Sequence, residues 1–387
     1  MNEMIAEMND SLDNLMDNRC YSSAFELAAY TFIQVSDVDM DDSGGELSWF
    51  AQECEEWWER ILNEAEQSGQ ANVQEMMFNW FTEHLDGSIV DYMEEDVESF
   101  LKSHFNQGQF QSRKLALVDE KIAEYESKTE GWSSEYHLGS WLETRIEMME
   151  EMGYSWDELK AFCKQYWNHR GIRSWYAKKC ADRGDIDEQI FTLEQSLSMD
   201  SAYAGLVSEY SLQLKDLYKA AGRMEDYQKI MWRIVTQIKP GDLPLFREFK
   251  GLFKIEKWPE VRERVFNSLS KHRSSLMELY REEGLLDRLM REVLSTGGIH
   301  SARLYKNELI TLYPDKYLEI YTKEAEQSAL HVSNRQHYRE LANILLEIQQ
   351  FPGGQQKSAE IEQHWRELYS NRRAMMDELN QMHRRKK

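Results

Sequence analysis

Proline is absent from the first 239 residues of this 387-residue chain. Its five prolines all lie later, at Pro240, Pro244, Pro259, Pro314 and Pro352. Proline interrupts helix interiors and is common in the turns of β-rich proteins. Because the proline-free part is rich in Glu, Met, Leu, Gln and Ala, it predicts one helix after another. The chain is therefore expected to be all-α.

Cysteine is scarce, and nothing in its spacing suggests a site. The four cysteines are Cys20, Cys54, Cys163 and Cys180, with no C-x-x-C pair among them. In a reducing compartment such residues behave as small, partly buried apolar side chains. We therefore expect no disulfide, no metal site and no cofactor.

Long apolar runs and catalytic motifs are also missing. No stretch approaches the roughly 20 apolar residues that cross a bilayer, and the first residues lack the basic flank of a signal peptide. We expect a soluble, cytoplasmic protein with no membrane contact. The chain contains no G-x-S-x-G, P-loop, G-x-G-x-x-G or H-E-x-x-H motif. We predict that it is not an enzyme and has no catalytic residues.

Basic residues are nearly absent from the first hundred positions. Residues 1–100 contain 25 Asp and Glu but only Arg19 and Arg60, whereas residues 101–387 contain 44 acids and 44 bases. The net charge of −23 therefore belongs to the first hundred residues. A negative field repels nucleic acid and anionic membranes and attracts basic surfaces. We expect a protein or peptide partner with a basic surface, and nucleic acid is disfavoured.

Apolar residues recur at helical spacing. Phe25, Ala28, Ala29, Phe32 and Ile33 complete the stripe of an amphipathic helix. Because this stripe lies within the acidic region, that region is expected to be folded.

Helix start signals occur along the chain as well. Ser155 and Glu158 match a capping box. Pro259 and Pro314 stand where a proline is tolerated in the first turn of a helix.

The second half contains an internal echo. The segment CADRGDIDEQIFTLEQSL from Cys180 resembles KAAGRMEDYQKIMWRIV from Lys219, with glycine turns at Gly184 and Gly222. Periods of about 34 to 47 residues with two helices per unit are typical of helical repeats. The predicted fold is a TPR/HEAT-like helical-repeat α-solenoid; an irregular helical bundle is the alternative.

A change of composition near KTEGWSS, residues 128–134, indicates a boundary. We expect an acidic helical domain over 1–130 and a TPR-like domain over 131–387, or one continuous solenoid.

Two blocks resemble a known family. The segment AFELAAYTFIQVSDVDMDDSGGELSWFAQECEEWWERIL from Ala24 is similar to the helical region that follows the zinc finger in bacterial SWIM zinc-finger proteins. HYRELANILLEI from His337 and WRELYSNRRAMMDEL from Trp365 look like that family's terminal helices. The resemblance implies the helical portion of such a protein. The family's C-x-C-x(n)-C-x-H zinc site is absent, so zinc binding is not carried over.

An acidic segment after Ala24 resembles a calcium loop. Its oxygen-bearing residues are Asp37, Asp39, Asp41, Asp42 and Glu46. Calcium loops need a bidentate glutamate at position twelve, and Phe50 stands there. The segment is either an interhelical loop whose side chains cap the next helix, or a site for a cation or basic segment.

Aromatic and basic residues alternate between Trp156 and Lys179. Stacking with cations is how single-stranded nucleic acids are held. At helical spacing, however, such aromatic residues more often pack between helices while the cations stay wet.

We therefore predict a non-enzymatic protein-interaction scaffold. The candidate partner-binding residues are Arg335, Tyr338, Arg339, Arg372 and Arg373. The alternative is a nucleic-acid-associated module that acts with a zinc finger absent from this chain. A basic C-terminal end could also contact the acidic end of a second copy, but the sequence does not fix an oligomeric state.

Overall fold

The computed structural model describes residues 2–37, 45–85, 87–89, 91–106, 108–128, 131–331 and 334–384. These residues form helices and short connections, with no β-strand among them. The first ten helices are α1 (Asn2–Asp17), α2 (Tyr21–Ser36), α3 (Glu46–Gln67), α4 (Ala71–Glu83), α5 (Asp91–Ser103), α6 (Gly108–Ser127), α7 (Trp132–Glu151), α8 (Trp156–Gln165), α9 (Arg170–Asp182) and α10 (Ile186–Met199).

Twelve further α-helices follow in the described part of the chain, and one of them continues as a π-helix over Ile234–Ile238. They are α11 (Ala204–Ala220), α12 (Met224–Arg233, which runs into the π-helix), α13 (Leu243–Lys250), α14 (Trp258–Ser268), α15 (Arg273–Glu282), α16 (Leu286–Thr296), α17 (Ile299–Leu304), α18 (Lys306–Leu309), α19 (Pro314–His331), α20 (Arg335–Ile348), α21 (Gly354–Leu368) and α22 (Arg373–Arg384).

The helices pack in chain order. Helices that pack closely are either consecutive, such as α2 with α3 or α19 with α20, or separated by one helix, such as α7 with α9 or α20 with α22. Packing of each helix pair against its neighbours is the organisation of helical repeats. The prediction of an all-α, helical-repeat fold is confirmed.

The chain forms two compact units, Met1–Thr192 (unit 1) and Leu193–Lys387 (unit 2), and the division falls within α10. The boundary expected near residue 130 lies inside unit 1, between α6 and α7, which pack along each other. The predicted division into residues 1–130 and 131–387 stays a prediction. Unit 1 contains 41 acidic and 15 basic residues, whereas unit 2 contains 28 acidic and 31 basic residues. Unit 1 therefore carries the negative charge.

The core of unit 1 contains an aromatic cluster around Trp58. The Trp58 ring lies 4.9 Å from Phe32 of α2, 5.0 Å from Phe81 of α4 and 5.6 Å from Phe100 of α5, measured between ring centroids. Edge-to-face contacts of this kind stabilise beyond the apolar area they bury. The cluster fixes α5 against three earlier helices. The acidic region is thus folded around a core, as its helical stripes predicted.

In unit 2, aromatic side chains reach carboxylates on neighbouring helices. The Tyr227 hydroxyl donates to Glu248 at 2.6 Å, and the Trp258 indole donates to Glu283 at 2.9 Å. Tyrosine and tryptophan bury a large apolar body but need a partner for the polar group. These hydrogen bonds therefore satisfy the polar groups of the two rings and also fix the register between helices.

The internal echo corresponds to a repeated helix end. Gly184 has a φ of 71° and Gly222 a φ of 70°, in the left-handed region that disfavours other residues. The next amide donates back to the last helical turn in each case, from Asp185 to Cys180 at 2.9 Å and from Arg223 to Tyr218 at 2.9 Å. This is the hydrogen bond of a Schellman C-cap. The two segments share their local geometry as well as their sequence.

The predicted helix starts are confirmed. Ser155 and Glu158 form a complete capping box at the start of α8. Pro314 opens α19, and α14 begins one residue before Pro259.

Candidate functional site

A large opening in unit 1 follows one face of α5. One depression of about 630 Å³ lies between the end of α4 and helices α5, α6 and α7. A second, of about 390 Å³, lies between α5 and α7. Both are lined by Glu95, Glu98 and His137, so they form one surface, which we call the α5 groove.

The sequence of α5 explains why this face is polar. Met93, Val97, Phe100 and Leu101 are buried and follow the i, i+4, i+7, i+8 spacing of one helix face. The opposite face carries Glu95, Glu98, Ser99 and Lys102. Burial of the apolar stripe therefore places a row of polar side chains along the groove, two of them acidic.

Lys102 lies within this row. Its ammonium pairs with Glu98, donates to the Ser140 hydroxyl at 2.7 Å and lies 3.9 Å from the centroid of the Trp141 ring. Burial lowers the pKa of Lys102 more than the charge of Glu98 raises it. The ion pair with Lys102 neutralises the charge of Glu98 within the protein.

On the α6 side of the groove, Glu124 is neutralised as well. Lys128 pairs with it at 2.7 Å and Lys121 at 3.2 Å. The hydrogen bond from Lys128, with that from Lys121, lowers the pKa of Glu124. Lys121 also donates to the Leu85 carbonyl at 2.7 Å, which ties α6 to the end of α4.

Three other carboxylates in the groove form no such ion pair within the described residues: Glu95, Asp96 and Glu120. Glu95 and Glu120 are exposed, and neither forms an ion pair with a basic residue in the described part of the chain. Asp96 lines the smaller depression. Burial, followed by the charges of Glu55 and Glu95, raises the pKa of Asp96 to about 6. Negative charge is thus concentrated here without enough internal cations.

Crowding of carboxylates extends beyond Asp96. Burial raises the pKa of Glu55 on α3, with a further contribution from Glu59. Burial and the charge of Glu147 raise the pKa of Glu143 on α7. Carboxylates with raised pKa values lack sufficient compensation of their charge, so an added cation would stabilise their ionised forms. The groove is suited to binding cationic groups.

Aromatic rings border the groove. The His137 ring stacks on Tyr125, with ring centroids 5.3 Å apart and planes 16° apart. Tyr136 lies beside His137 and is 53% exposed. Aromatic faces attract ammonium and guanidinium groups. The groove therefore offers both charge and ring faces to a basic side chain, while no group of residues suited to hold a metal ion occurs in the described ranges.

The predicted cation loop lies mostly outside the described residues, which include Asp37 and Glu46 but not Asp39, Asp41 and Asp42. Asp37 ends α2, and Glu46 is in the first turn of α3. The N-cap of α3 is Gly45, and the Asp and Ser side chains that could cap this helix lie outside the described residues, so the capping interpretation stays a prediction as well. The binding role of the loop stays a prediction.

Two of the predicted C-terminal residues, Arg335 and Arg339, meet at Glu378 of α22. Arg335 donates to Glu378 at 2.8 Å, and Arg339 pairs with it at 3.5 Å. Burial opposes ionisation of Glu378, but these arginines outweigh it and lower its pKa. Both arginine side chains remain about half exposed.

The other C-terminal candidates differ in exposure. Tyr338 is buried in the core. Arg372 donates to the Ala329 carbonyl at 2.8 Å and lies 4.1 Å from the Tyr369 ring. Arg373 is exposed. The arginines therefore support packing between helices, and their role in partner binding stays a prediction.

The aromatic side chains of the segment from Trp156 to Lys179, which spans α8 and α9, pack in or against the core. Tyr176 is buried and stacks on Trp156, with centroids 5.4 Å apart. The buried Arg173 donates to the carbonyls of Trp167 and Asn168 at 2.8 and 2.9 Å. This arrangement supports the inter-helix packing interpretation.

Sequence reasoning did not identify the α5 groove. The polar row on α5 is visible in the sequence, but its distance from α6 and α7 is not, because that depends on tertiary packing.

Comparisons with known proteins give little further information. No protein-family model matches the chain, and no curated protein matches it. One similar solved structure is a "Circular tandem repeat protein with novel repeat topology and enhanced subunit contact surfaces". The alignment covers 99% of this chain and 89% of that chain, at 14% identity and a TM-score of 0.22. At that TM-score the likeness supports no statement about fold or function, which rest on the helices and contacts above.

No helix among the described residues is both long and apolar enough to span a membrane.

Proposed function

We propose that the chain is a non-enzymatic protein-interaction module whose α5 groove binds a basic segment of a partner protein. The observation that carries the proposal is the set of carboxylates without internal cations at Glu95, Asp96 and Glu120. A lysine- or arginine-rich segment supplies the missing charge. Charge complementarity of this kind accelerates association and selects the partner.

The charge of the whole unit supports this assignment. Unit 1 has 41 acidic residues against 15 basic residues, so its long-range field attracts cationic surfaces. The groove concentrates that charge beside the aromatic rings of Tyr125 and Tyr136. A helical-repeat fold provides a rigid surface on which such residues keep their positions.

The experiment compares two double variants with the native chain. Glu95→Lys with Glu120→Lys reverses two charges in the groove. Glu256→Lys with Asp377→Lys makes the same change of net charge at exposed positions of unit 2. The probe is a fluorescent peptide of three lysines followed by six alternating serines and threonines, and its binding is measured by anisotropy.

We expect the groove variant to bind the probe at least tenfold more weakly, and the control variant to bind it nearly as the native chain does. Binding should weaken with added salt, because exposed charges are screened. Equal losses in both variants would show that only net charge matters, and the proposal would then be wrong.

Three earlier hypotheses stay predictions. They are membership of the SWIM zinc-finger family, the absence of enzymatic activity, and the alternative role beside a zinc finger in nucleic-acid binding. The burial of Tyr176 and Arg173 argues against the last of these, because both would have to reach a ligand.

A further inference from the structure

A second groove in unit 1 adjoins the α5 groove at Ser103. It has a volume of about 570 Å³ and lies between α3, α4 and the turn that joins α5 to α6. Four carboxamide side chains line it, which is why we call it the carboxamide groove: Asn63, Gln74, Asn106 and Gln109. Ser103 lines both this groove and the smaller depression of the α5 groove.

The floor of the carboxamide groove is apolar. Leu62, Phe105 and Phe110 line it and are each 7% exposed. Polar groups above an apolar floor are typical of binding sites, where the floor excludes water and the polar groups set the orientation of the ligand.

The turn that forms one wall has an unusual backbone. Phe105 has a φ of 59°, a strained conformation that is rare for a bulky residue. Its ring packs against Phe78 and Phe110, each at 5.4 Å between centroids. Such strain persists only where the surroundings enforce it, and it occurs preferentially at binding and catalytic sites.

A buried lysine holds the same turn. Lys114 is 1% exposed, and its ammonium donates to the Lys102 carbonyl at 2.6 Å, to the His104 carbonyl at 2.8 Å and to the side-chain oxygen of Asn106. These bonds satisfy carbonyls at the end of α5 that have no helical partner. The wall of the groove is therefore fixed before any ligand binds.

The hydrogen bonds also orient two of the carboxamides. An ammonium only donates, so the oxygen of Asn106 faces Lys114, and its amide donates to the Ser103 carbonyl at 3.3 Å. The amide of Gln109 donates to the Glu75 carboxylate at 3.3 Å.

The other two carboxamides have no internal partner. Neither Asn63 nor Gln74 forms a side-chain hydrogen bond with any residue that the structure describes. Each can therefore offer both a donor and an acceptor to a ligand.

A carboxamide has the same donor and acceptor pair as a peptide group, so it can bond both the N–H and the C=O of an extended chain without regard to sequence. From Glu95 to Ser103, α5 advances about 12 Å at 1.5 Å per residue. An extended chain needs only about four residues for that distance, and a few more reach the carboxamides. A single short segment can therefore lie along both grooves.

We infer that the carboxamide groove binds the main chain of an extended polypeptide segment whose basic side chains occupy the α5 groove. This inference rests on the proposed function and specifies its partner: a segment with a basic part beside a part that is recognised through its backbone.

The test compares the unmodified lysine probe, which is the first form, with altered forms of the same peptide. The second form is N-methylated along the serine and threonine part, which removes backbone donors while keeping charge and side chains. We expect the native chain to bind the methylated form about tenfold more weakly. A third form, methylated only at the lysines, should bind nearly as tightly as the unmodified probe. A copy with the lysines at the other end covers the reverse chain direction.

The protein variant is Asn63→Leu with Gln74→Met, which keeps side-chain size and removes the polar atoms. The control is Asn267→Leu with Gln165→Met, at exposed positions outside the groove. We expect the Asn63→Leu, Gln74→Met variant to bind the unmodified probe about tenfold more weakly than the native chain does. This variant should bind the unmodified probe and the N-methylated second form with equal affinity. Circular dichroism of both variants checks that they fold.

The outcomes separate this inference from the proposed function. If the native chain binds the probe through the α5 groove but N-methylation has no effect, the inference is wrong and the proposed function stands. If no form of the probe binds, both are wrong. A further outcome is that N-methylation of the serine and threonine part weakens binding equally in the native chain and in the Asn63→Leu, Gln74→Met variant. In that case the two carboxamides do not cause the effect, and the inference is overturned.

Discussion

The two units differ in how fully their carboxylates are compensated by cations within the fold. In unit 2, Glu248 accepts hydrogen bonds from Tyr227, Lys215 and Lys219. Burial opposes its ionisation, but these bonds outweigh burial and lower the pKa of Glu248 to about 2. In unit 1, burial and neighbouring acids raise the pKa of Asp96 to about 6. Carboxylates in unit 2 join helices, whereas those along α5 repel one another.

This contrast shows why net charge alone describes the chain poorly. Unit 2 is densely charged, yet its acids and bases neutralise one another between helices. Glu282 pairs with Arg247 at 2.7 Å, and Glu263 pairs with Arg288 at 2.6 Å. The charges of these residues are largely compensated by ion pairs within the fold. The acids of unit 1 outnumber their possible partners, so part of their interaction energy is available to a ligand.

The largest expected effect is the removal of a shielded carboxylate from unit 2. The Glu283 side chain is 4% exposed and accepts bonds from Trp258, Lys250 and Arg262. Glu283→Ala should lower the free energy of unfolding by about 3 kcal/mol, because it leaves buried donors and cationic charge without a partner. Urea unfolding measures the change.

The matched change in unit 1 is Glu95→Ala, which should alter stability by no more than about 0.5 kcal/mol, as for other exposed residues without special contacts. Similar losses for the two variants would contradict the contrast between the units.

A smaller effect is expected at Asp96, with the opposite sign. A carboxyl whose pKa is raised on folding favours the folded state while protonated and opposes it as pH rises through about 6. Asp96→Asn should therefore stabilise the protein at pH 7 by about 1 kcal/mol, a figure reduced for partial solvent screening. Near pH 4 most of the gain should be lost, because the folded protein then carries this carboxyl in its protonated form.

The control for that experiment is Asp377→Asn, at an exposed position of α22. Unfolding curves at both pH values decide the matter. A gain for Asp96→Asn that is equal at pH 4 and pH 7 would mean that the carboxylate charge is not responsible.

The smallest effect concerns salt. Raising sodium chloride from about 0.02 M to about 0.5 M shortens the screening length several-fold. Repulsion in unit 1 should weaken, and the exposed ion pairs of unit 2 should weaken too. Amide hydrogen exchange on the whole chain should show protection rising in unit 1 by a few tenths of a kcal/mol and falling or staying level in unit 2. Changes in protection of the same sign and size in both units would contradict the predicted difference between them.

Much of the local structure was predictable from the residues. The stripe from Phe25 to Phe32, the capping box at Ser155 and the glycine turns at Gly184 and Gly222 all depend on neighbours within a few positions. Helical periodicity and cap chemistry are local properties, so a single sequence contains them.

The site was not predictable in the same way. Arg335 and Arg339 are visible in the sequence as basic residues, but only the packing of α20 on α22 brings both to Glu378. Lys114 looks like an ordinary surface lysine in the sequence, yet it is buried beneath the turn at Phe105. Partners separated by ten or more residues depend on how helices cross, which local pattern does not specify.

The sequence by itself determined that the chain is helical, where a few of its helices begin or end, and that its negative charge lies towards its start. These follow from backbone preference, apolar spacing and composition. The tertiary structure decided which charges neutralise one another and which line an open groove. The physical reason is that a carboxylate's role depends on the distance to its nearest cation and on its exposure to water, and both are set when helices pack.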